Sequence, residues 1–156
     1  MAKKIMVRKA SDNEYLHKDF HCALNLGLEY ARRRFGDDAV RNYLCQYARS
    51  FHAPLIRDLR RRGLIALKEY FKNIYAIEGA AVRINCSKDE LFIKTDFCPA
   101  VKHIRRRGFD VSPLFIETER AVHKAICEDT PFAFELVRYD KKTGRSIQRF
   151  YRRKKS

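Results

Sequence analysis

The chain has 156 residues, a length typical of one domain, and 46% of them are hydrophobic, which excludes a disordered chain. It has no apolar run of about 18 residues and no apolar core behind its basic N-terminus, so we expect neither a transmembrane helix nor a signal peptide. The formal net charge of +15 favours nucleic acid, an anionic membrane surface or an anionic small ligand as partner. We predict one domain over 1–156 with basic flexible ends at about 1–10 and 152–156.

The five cysteines are odd in number, widely spaced and without a CxxC pair: Cys22, Cys45, Cys86, Cys98 and Cys127. This pattern argues against a disulfide framework or a structural zinc site. It is typical of reduced, partly buried thiols in a cytoplasmic protein, which is the localisation that we predict.

The first half of the chain has helical periodicity. Apolar residues at spacings of three and four, including Phe20 and Phe35, predict a first helix from about Asp12 to Phe35. A second helix follows and is expected to kink or restart at Pro54, and a third begins after Gly63.

The second half alternates with a period of two. It predicts one β-hairpin over about 82–97 and another from Phe132 to Arg152, closed by a turn at 140–144. Two short helices lie between them, one starting at Pro99 and one with Pro113 at its first position. The predicted class is α+β: an N-terminal helical hairpin plus a third helix, then two hairpins forming a mostly antiparallel four-stranded sheet packed on helices.

Three predicted helices end in an arginine triplet with a glycine one or two positions later: 32–34, 60–62 and 105–107. Cations stabilise the exposed carbonyls of a helix C-terminus, so part of the charge has a structural reason. Without a zinc finger or a helix-turn-helix, specific nucleic-acid binding is not favoured, but weak salt-dependent association through the basic surface stays open.

The segment around Cys98 predicts the most reactive group. Pro99 suits a first helical position, which places Cys98 at the helix N-cap, where free N–H groups and the helix dipole favour a thiolate. Lys102 and His103 follow one turn later as a substrate-binding cation and a general acid or base. A half-buried cysteine that merely ends an apolar strand is the alternative.

Other polar residues have weaker interpretations. His17 and His21, four apart on the first helix, could share a metal, but exposed histidines explain them as well. His52 at the helix break is a capping or substrate-binding candidate, and Glu78 could line the same opening. Glu119 and the residue one turn later, His123, are expected to form an exposed ion pair. No Gly-rich phosphate loop is present, and we predict no cofactor.

The chain resembles the L-2-amino-thiazoline-4-carboxylic acid hydrolase family over about 17–151. The resemblance rests on several short segments: Phe35-Gly36-Asp37-Asp38, Tyr47 to Leu55, Cys98-Pro99-Ala100, Phe134-Glu135-Leu136 to Gly144, and Arg149-Phe150. It implies a fold related to 4-vinyl-reductase-type ligand-binding domains. Where the family carries further cysteines, this chain has Ile116 and Gln148, and only Cys98 matches.

The resemblance also implies a function: hydrolysis of a C–N bond in a small heterocycle that bears a carboxylate. Cys98 would then be the nucleophile or a pocket thiol, and Lys102 or an arginine would hold the carboxylate. Two alternatives stay open. One is a ligand-binding or regulatory module without catalysis, and the other is a basic nucleic-acid-associated protein.

Overall fold

The computed structural model describes residues 18–154. Along the chain, its elements are α1 (Asp19–Phe35), α2 (Asp37–Phe51), α3 (Ala53–Arg62), α4 (Leu64–Glu78), β1 (Val82–Cys86), β2 (Glu90–Thr95), α5 (Pro99–Arg106), α6 (Glu117–Cys127), β3 (Phe132–Tyr139) and β4 (Ser146–Arg152). The α+β class and the two hairpins separated by helices are confirmed.

The sheet is antiparallel throughout and has the order β1-β2-β4-β3. The two hairpins therefore join through β2 and β4, with Leu91 opposite Phe150 and Thr95 opposite Ser146. Helices α4 and α6 pack against the sheet. Because side chains alternate between the faces of a strand, this cover buries every second residue of β2 and β4.

The break between α2 and α3 lies at His52, and Pro54 falls in the first turn of α3. The backbone N–H of His52 donates to the carbonyl of Ala48, and its own carbonyl accepts from Ile56. The predicted restart of the helix is therefore confirmed. The His52 side chain makes no capping hydrogen bond, so its predicted capping role is wrong.

The buried face of α1 differs from the predicted stripe. Phe20 and Phe35 are mostly exposed, whereas Cys22, Asn25 and Leu28 are buried. Asn25 holds the connection before α6, because its amide donates to the Asp110 carbonyl and accepts from the Ser112 N–H, each at 2.8 Å. Residues 12–17 of the predicted helix lie outside the described part.

Helix α6 begins later in the sequence than Pro113 predicts. Residues 113–116 form turns in which Phe115 and Glu117 donate to carbonyls three residues earlier, and α6 begins at Glu117. The Ser112 hydroxyl accepts from the N–H of Leu114 and donates to Glu29, so side chains satisfy this turn before the helix begins. Within residues 18–154, no helix is long and apolar enough to cross a bilayer.

Candidate functional site

The buried face of the sheet becomes polar at one end. Thr95 is the last residue of β2 and lies opposite Ser146 of β4, and their hydroxyl oxygens are 3.1 Å apart. Gln148, next on the same face of β4, donates from Nε2 to the Ser146 hydroxyl at 3.1 Å and to the Tyr75 hydroxyl at 3.3 Å. The three strand residues are buried, so they form a polar cluster in the interior, closed from the helical side by Tyr75.

Glu119, on α6, adds a carboxyl group to this cluster. A hydrogen bond with Ser146 works to lower the pKa of Glu119, but burial outweighs it and raises the pKa to about 7. The Oε2 atom is fully shielded and has no hydrogen-bond partner among the described residues. A carboxyl group that changes charge near neutral pH is suited to proton transfer.

His123 lies one turn after Glu119, with its ring packed against Phe71, Phe134 and Phe150. Burial lowers the pKa of His123 to about 3, while a hydrogen bond with Gln148 opposes that change. Both members of the expected exposed ion pair are thus turned inward, and burial shifts both pKa values in the direction that favours the neutral forms. The prediction of an exposed pair is wrong, because α6 presents this face to the sheet.

Three shielded polar atoms in this region have no partner within the described residues: Glu119 Oε2, His123 Nδ1 and Gln148 Oε1. They lie in one neighbourhood, since Gln148 donates to Ser146, and the pKa values of Glu119 and His123 respond to Ser146 and Gln148, respectively. Leaving a buried polar atom unpaired costs roughly 1–3 kcal/mol. Polar partners for these atoms would recover much of that cost.

Cys98 is the N-cap of α5, as predicted, and lies next to this cluster. The N–H groups of Ala100 and Val101 favour its thiolate, although neither forms a capping hydrogen bond of ordinary geometry. Burial, with the nearby Glu119 carboxyl, outweighs them and raises the pKa of Cys98 to about 12. The thiol is therefore neutral at pH 7, the opposite of the thiolate that the helix position predicts.

The remaining predicted residues separate into two places. Glu78, Lys102 and His103 line one shallow hollow of about 120 Å³. Within it, His103 Nε2 lies 2.8 Å from Asp19 Oδ1, and Glu78 Oε1 lies 3.2 Å from His21 Nε2. The Cys98 side chain does not line this hollow, so the general acid or base predicted at His103 and the thiol face different spaces.

His52 lies apart from the hollow, in an aromatic cluster formed with Tyr47, Phe51 and Tyr70. It is 8% exposed, and burial lowers its pKa to about 4. His52 is not among the residues that line the hollow containing Glu78. His52 instead supports the packing of α2, α3 and α4.

Asp19, Cys22 and His103 offer carboxylate, thiol and imidazole ligand atoms within 4.8 Å of one another, the one such group in residues 18–154. These ligand types suit zinc. His21 bonds Glu78 instead and is not part of the group, and His17 lies outside the described residues. The predicted sharing of a metal by these two histidines stays a prediction.

Sequence reasoning named Gln148 only as a departure from the resembled family, and it missed Thr95, Ser146 and Tyr75. A signal existed in β4, where Ser146 and Gln148 share the inward register of the buried Phe150. No such signal joined them to Glu119 or Tyr75, because these come from different helices. Neither a scan of protein-family models nor a search of curated proteins matches this chain, so the family resemblance stays a prediction.

Proposed function

We propose that the chain binds a small cyclic amidine at the polar end of the sheet and hydrolyses one of its C–N bonds. The observation that carries this proposal is that Oε2 of Glu119 and Oε1 of Gln148 are both buried and without a hydrogen-bond partner among the described residues. A carboxyl oxygen and an amide oxygen call for a guest that presents N–H donors. An amidine carries such donors on a planar group and pairs well with a carboxylate.

Proton transfer is assigned to Glu119. Its pKa of about 7 leaves a substantial fraction ionised at neutral pH. The carboxylate takes a proton from a water molecule, the resulting hydroxide attacks the amidine carbon, and Glu119 returns the proton to the departing nitrogen. The ring C–N bond breaks, and the net change is the addition of one water to the substrate.

Cys98 has a different part in this scheme from the one that the sequence predicts. A thiol with a pKa of about 12 is a weak nucleophile at pH 7, since the thiolate is the reactive form. We assign it to the wall of the site beside Glu119. Lys102 and His103, which line the separate hollow, take no part in the proton transfer.

The test uses L-2-amino-thiazoline-4-carboxylate, with mass spectrometry to follow the gain of one water. Glu119→Gln keeps the shape and removes the base, so we expect at least about a 100-fold loss of rate. Glu135→Gln, which changes an exposed glutamate on β3, is the matched control and should retain activity. Cys98→Ser should retain much of it. Full activity in Glu119→Gln, or none in the wild type, contradicts the hydrolase proposal.

The same cluster also supports a binding module without chemistry. The three unpartnered atoms favour a polar guest whether or not it reacts. Native mass spectrometry of protein purified from its own host distinguishes the two. A retained, intact small molecule lost in a Gln148→Leu variant, with no turnover of the thiazoline, favours binding alone. No retained molecule and no stabilisation by the thiazoline contradict this second candidate.

A further inference from the structure

The three arginine triplets differ in how far carboxylates neutralise them. After α1, Arg32 and Arg33 donate to Glu29 at 2.7–3.0 Å. After α3, Arg61 and Arg62 donate to Asp58 at 2.8 and 2.9 Å. These carboxylates lie on the same helices as the arginines, so most of the charge there is compensated locally.

The triplet of α5 has no comparable partner. Its last arginine, Arg107, lies 3.8 Å from Asp19, a longer contact than those of the other triplets. For Arg105 and Arg106, no carboxylate lies within 4 Å in the described part of the chain. Arg105 donates to a backbone oxygen instead, that of Lys141 in the β3–β4 turn, at 3.4 Å. This contact brings the uncompensated helix end against a second basic segment.

The two segments border an open groove of about 530 Å³ between α5 and the β3–β4 turn. Its lining carries four cations and little else that is charged: Phe97, Val101, Lys102, Arg105, Arg106, Lys142 and Thr143. The Lys102 ammonium lies over the Phe97 ring, 4.7 Å from its centroid. None of the four cations pairs with a carboxylate among residues 18–154.

Asp140, the nearest acidic side chain along the β3–β4 turn, is hydrogen-bonded within the turn itself. Asp140 accepts from the N–H of Lys142 and the hydroxyl of Thr143, both at 2.9 Å, and these bonds lower its pKa. These two hydrogen bonds stabilise the conformation of the turn and point the Asp140 carboxylate into the turn. The groove therefore keeps its positive potential, which an anionic ligand would neutralise.

We propose that this groove binds a phosphate-bearing ligand of the nucleotide class, free or within a single strand. The two arginine guanidinium groups and the two lysine ammonium groups can pair with several charged oxygens at once. Phosphate groups offer several such oxygens and therefore suit this lining better than a single carboxylate does. The volume lies in the range of small-molecule sites, roughly 300–1,000 Å³. The site is distinct from the polar cluster beside Glu119 and does not depend on the hydrolase proposal.

The experiment measures fluorescence polarisation of a labelled oligothymidylate of about 12 nucleotides, a length within usual single-strand site sizes. The full chain is compared with Arg105→Gln/Arg106→Gln and with Arg33→Gln/Arg34→Gln. Both variants lose two charges at a helix C-terminus, so net charge is matched. We expect about a 10-fold loss of affinity for the groove variant and less than about 3-fold for the control.

Salt dependence gives a second readout. Losing two phosphate contacts should make the slope of log K against log salt less negative by roughly 1.4 for the groove variant alone. Lys142→Gln, on the opposite wall, should weaken binding without touching α5. Equal losses in the two double variants, or binding of neither the oligothymidylate nor ADP at about 50 mM salt, overturn the proposal. Competition with ADP distinguishes a free nucleotide from a single strand as the ligand. Displacement of the oligothymidylate by ADP indicates a free nucleotide, and no displacement indicates a strand.

Discussion

Gly144 lies directly against Cys98 where the β3–β4 turn meets the first turn of α5. A Cβ atom on Gly144 would overlap the Cβ of Cys98 and lie 2.9 Å from a methyl group of Val101. The Cys98 N–H also donates to the carbonyl of Thr143 at 2.9 Å. The turn therefore closes the outer side of the Cys98 segment and separates the groove from the interior cluster.

Gly144→Ala should destabilise the fold by about 3 kcal/mol or more, because a left-handed backbone and an occupied space both oppose the new methyl group. Gly144 has φ +68°, and Gly108→Ala is the control, since Gly108 has φ +80° with nothing within 4 Å of the added atom. The control should lose only about 1–2 kcal/mol. Urea unfolding measures both, and equal losses would show that the contact with Cys98 does not matter.

Cys98 should resist alkylation in the folded protein. Since burial raises its pKa to about 12, little thiolate exists at pH 7. Iodoacetamide should label Cys98 at least about 10-fold more slowly than it labels free cysteine, and the labelling rate should recover in urea. Peptide mass spectrometry measures the labelling. Labelling of native Cys98 faster than free cysteine would restore the activated-nucleophile interpretation.

Glu119 should make stability fall as pH rises. Its pKa is about 7 in the folded chain and ordinarily 4.5, so the folded state holds the proton more strongly. As the pH rises from 4.5 to 7, Glu119 ionises in the unfolded chain before it ionises in the folded chain. The free energy of unfolding therefore declines by about 3 kcal/mol over this range. Subtracting the unfolding free energy of Glu119→Gln at each pH isolates this effect. A flat difference from pH 4 to pH 8 would contradict the assigned pKa.

His52 should act in the opposite direction. Burial lowers its pKa from 6.5 to about 4, so the unfolded chain takes up a proton first as the pH falls. Stability is complete above about pH 6.5 and declines by about 3 kcal/mol toward pH 4. His52→Phe keeps an aromatic ring among Tyr47, Phe51 and Tyr70 without a titrating group. The wild type should lose more stability than this variant on acidification, and parallel curves would refute the prediction.

Asn25→Ala should cost about 2–5 kcal/mol, because it leaves the Asp110 carbonyl and the Ser112 N–H without their partner. Asn42→Ala, at an exposed position of α2, should change stability by less than about 0.5 kcal/mol. Thermal unfolding of both variants provides the measurement. Similar melting temperatures would mean that water replaces the two lost hydrogen bonds.

The sequence determined those features that depend on neighbouring residues. Alternation in 82–97 and 132–152 and the change from helical spacing predicted the strands, and Pro99 predicted the start of α5. It also placed Cys98 at the N-cap, because that position follows from the proline beside it. Residues 1–17 and 155–156, which hold His17 and most of the predicted flexible ends, lie outside the described part.

Only the tertiary structure decided which chemistry these positions support. The pKa of Cys98 depends on burial and on Glu119, which lies 21 positions away in the chain on another helix. The inward turn of Glu119 and His123 depends on how α6 packs on the sheet, and the Thr95, Ser146 and Gln148 cluster depends on the pairing of β2 with β4. Local spacing constrains a backbone, whereas desolvation and charge proximity arise only when distant segments pack together.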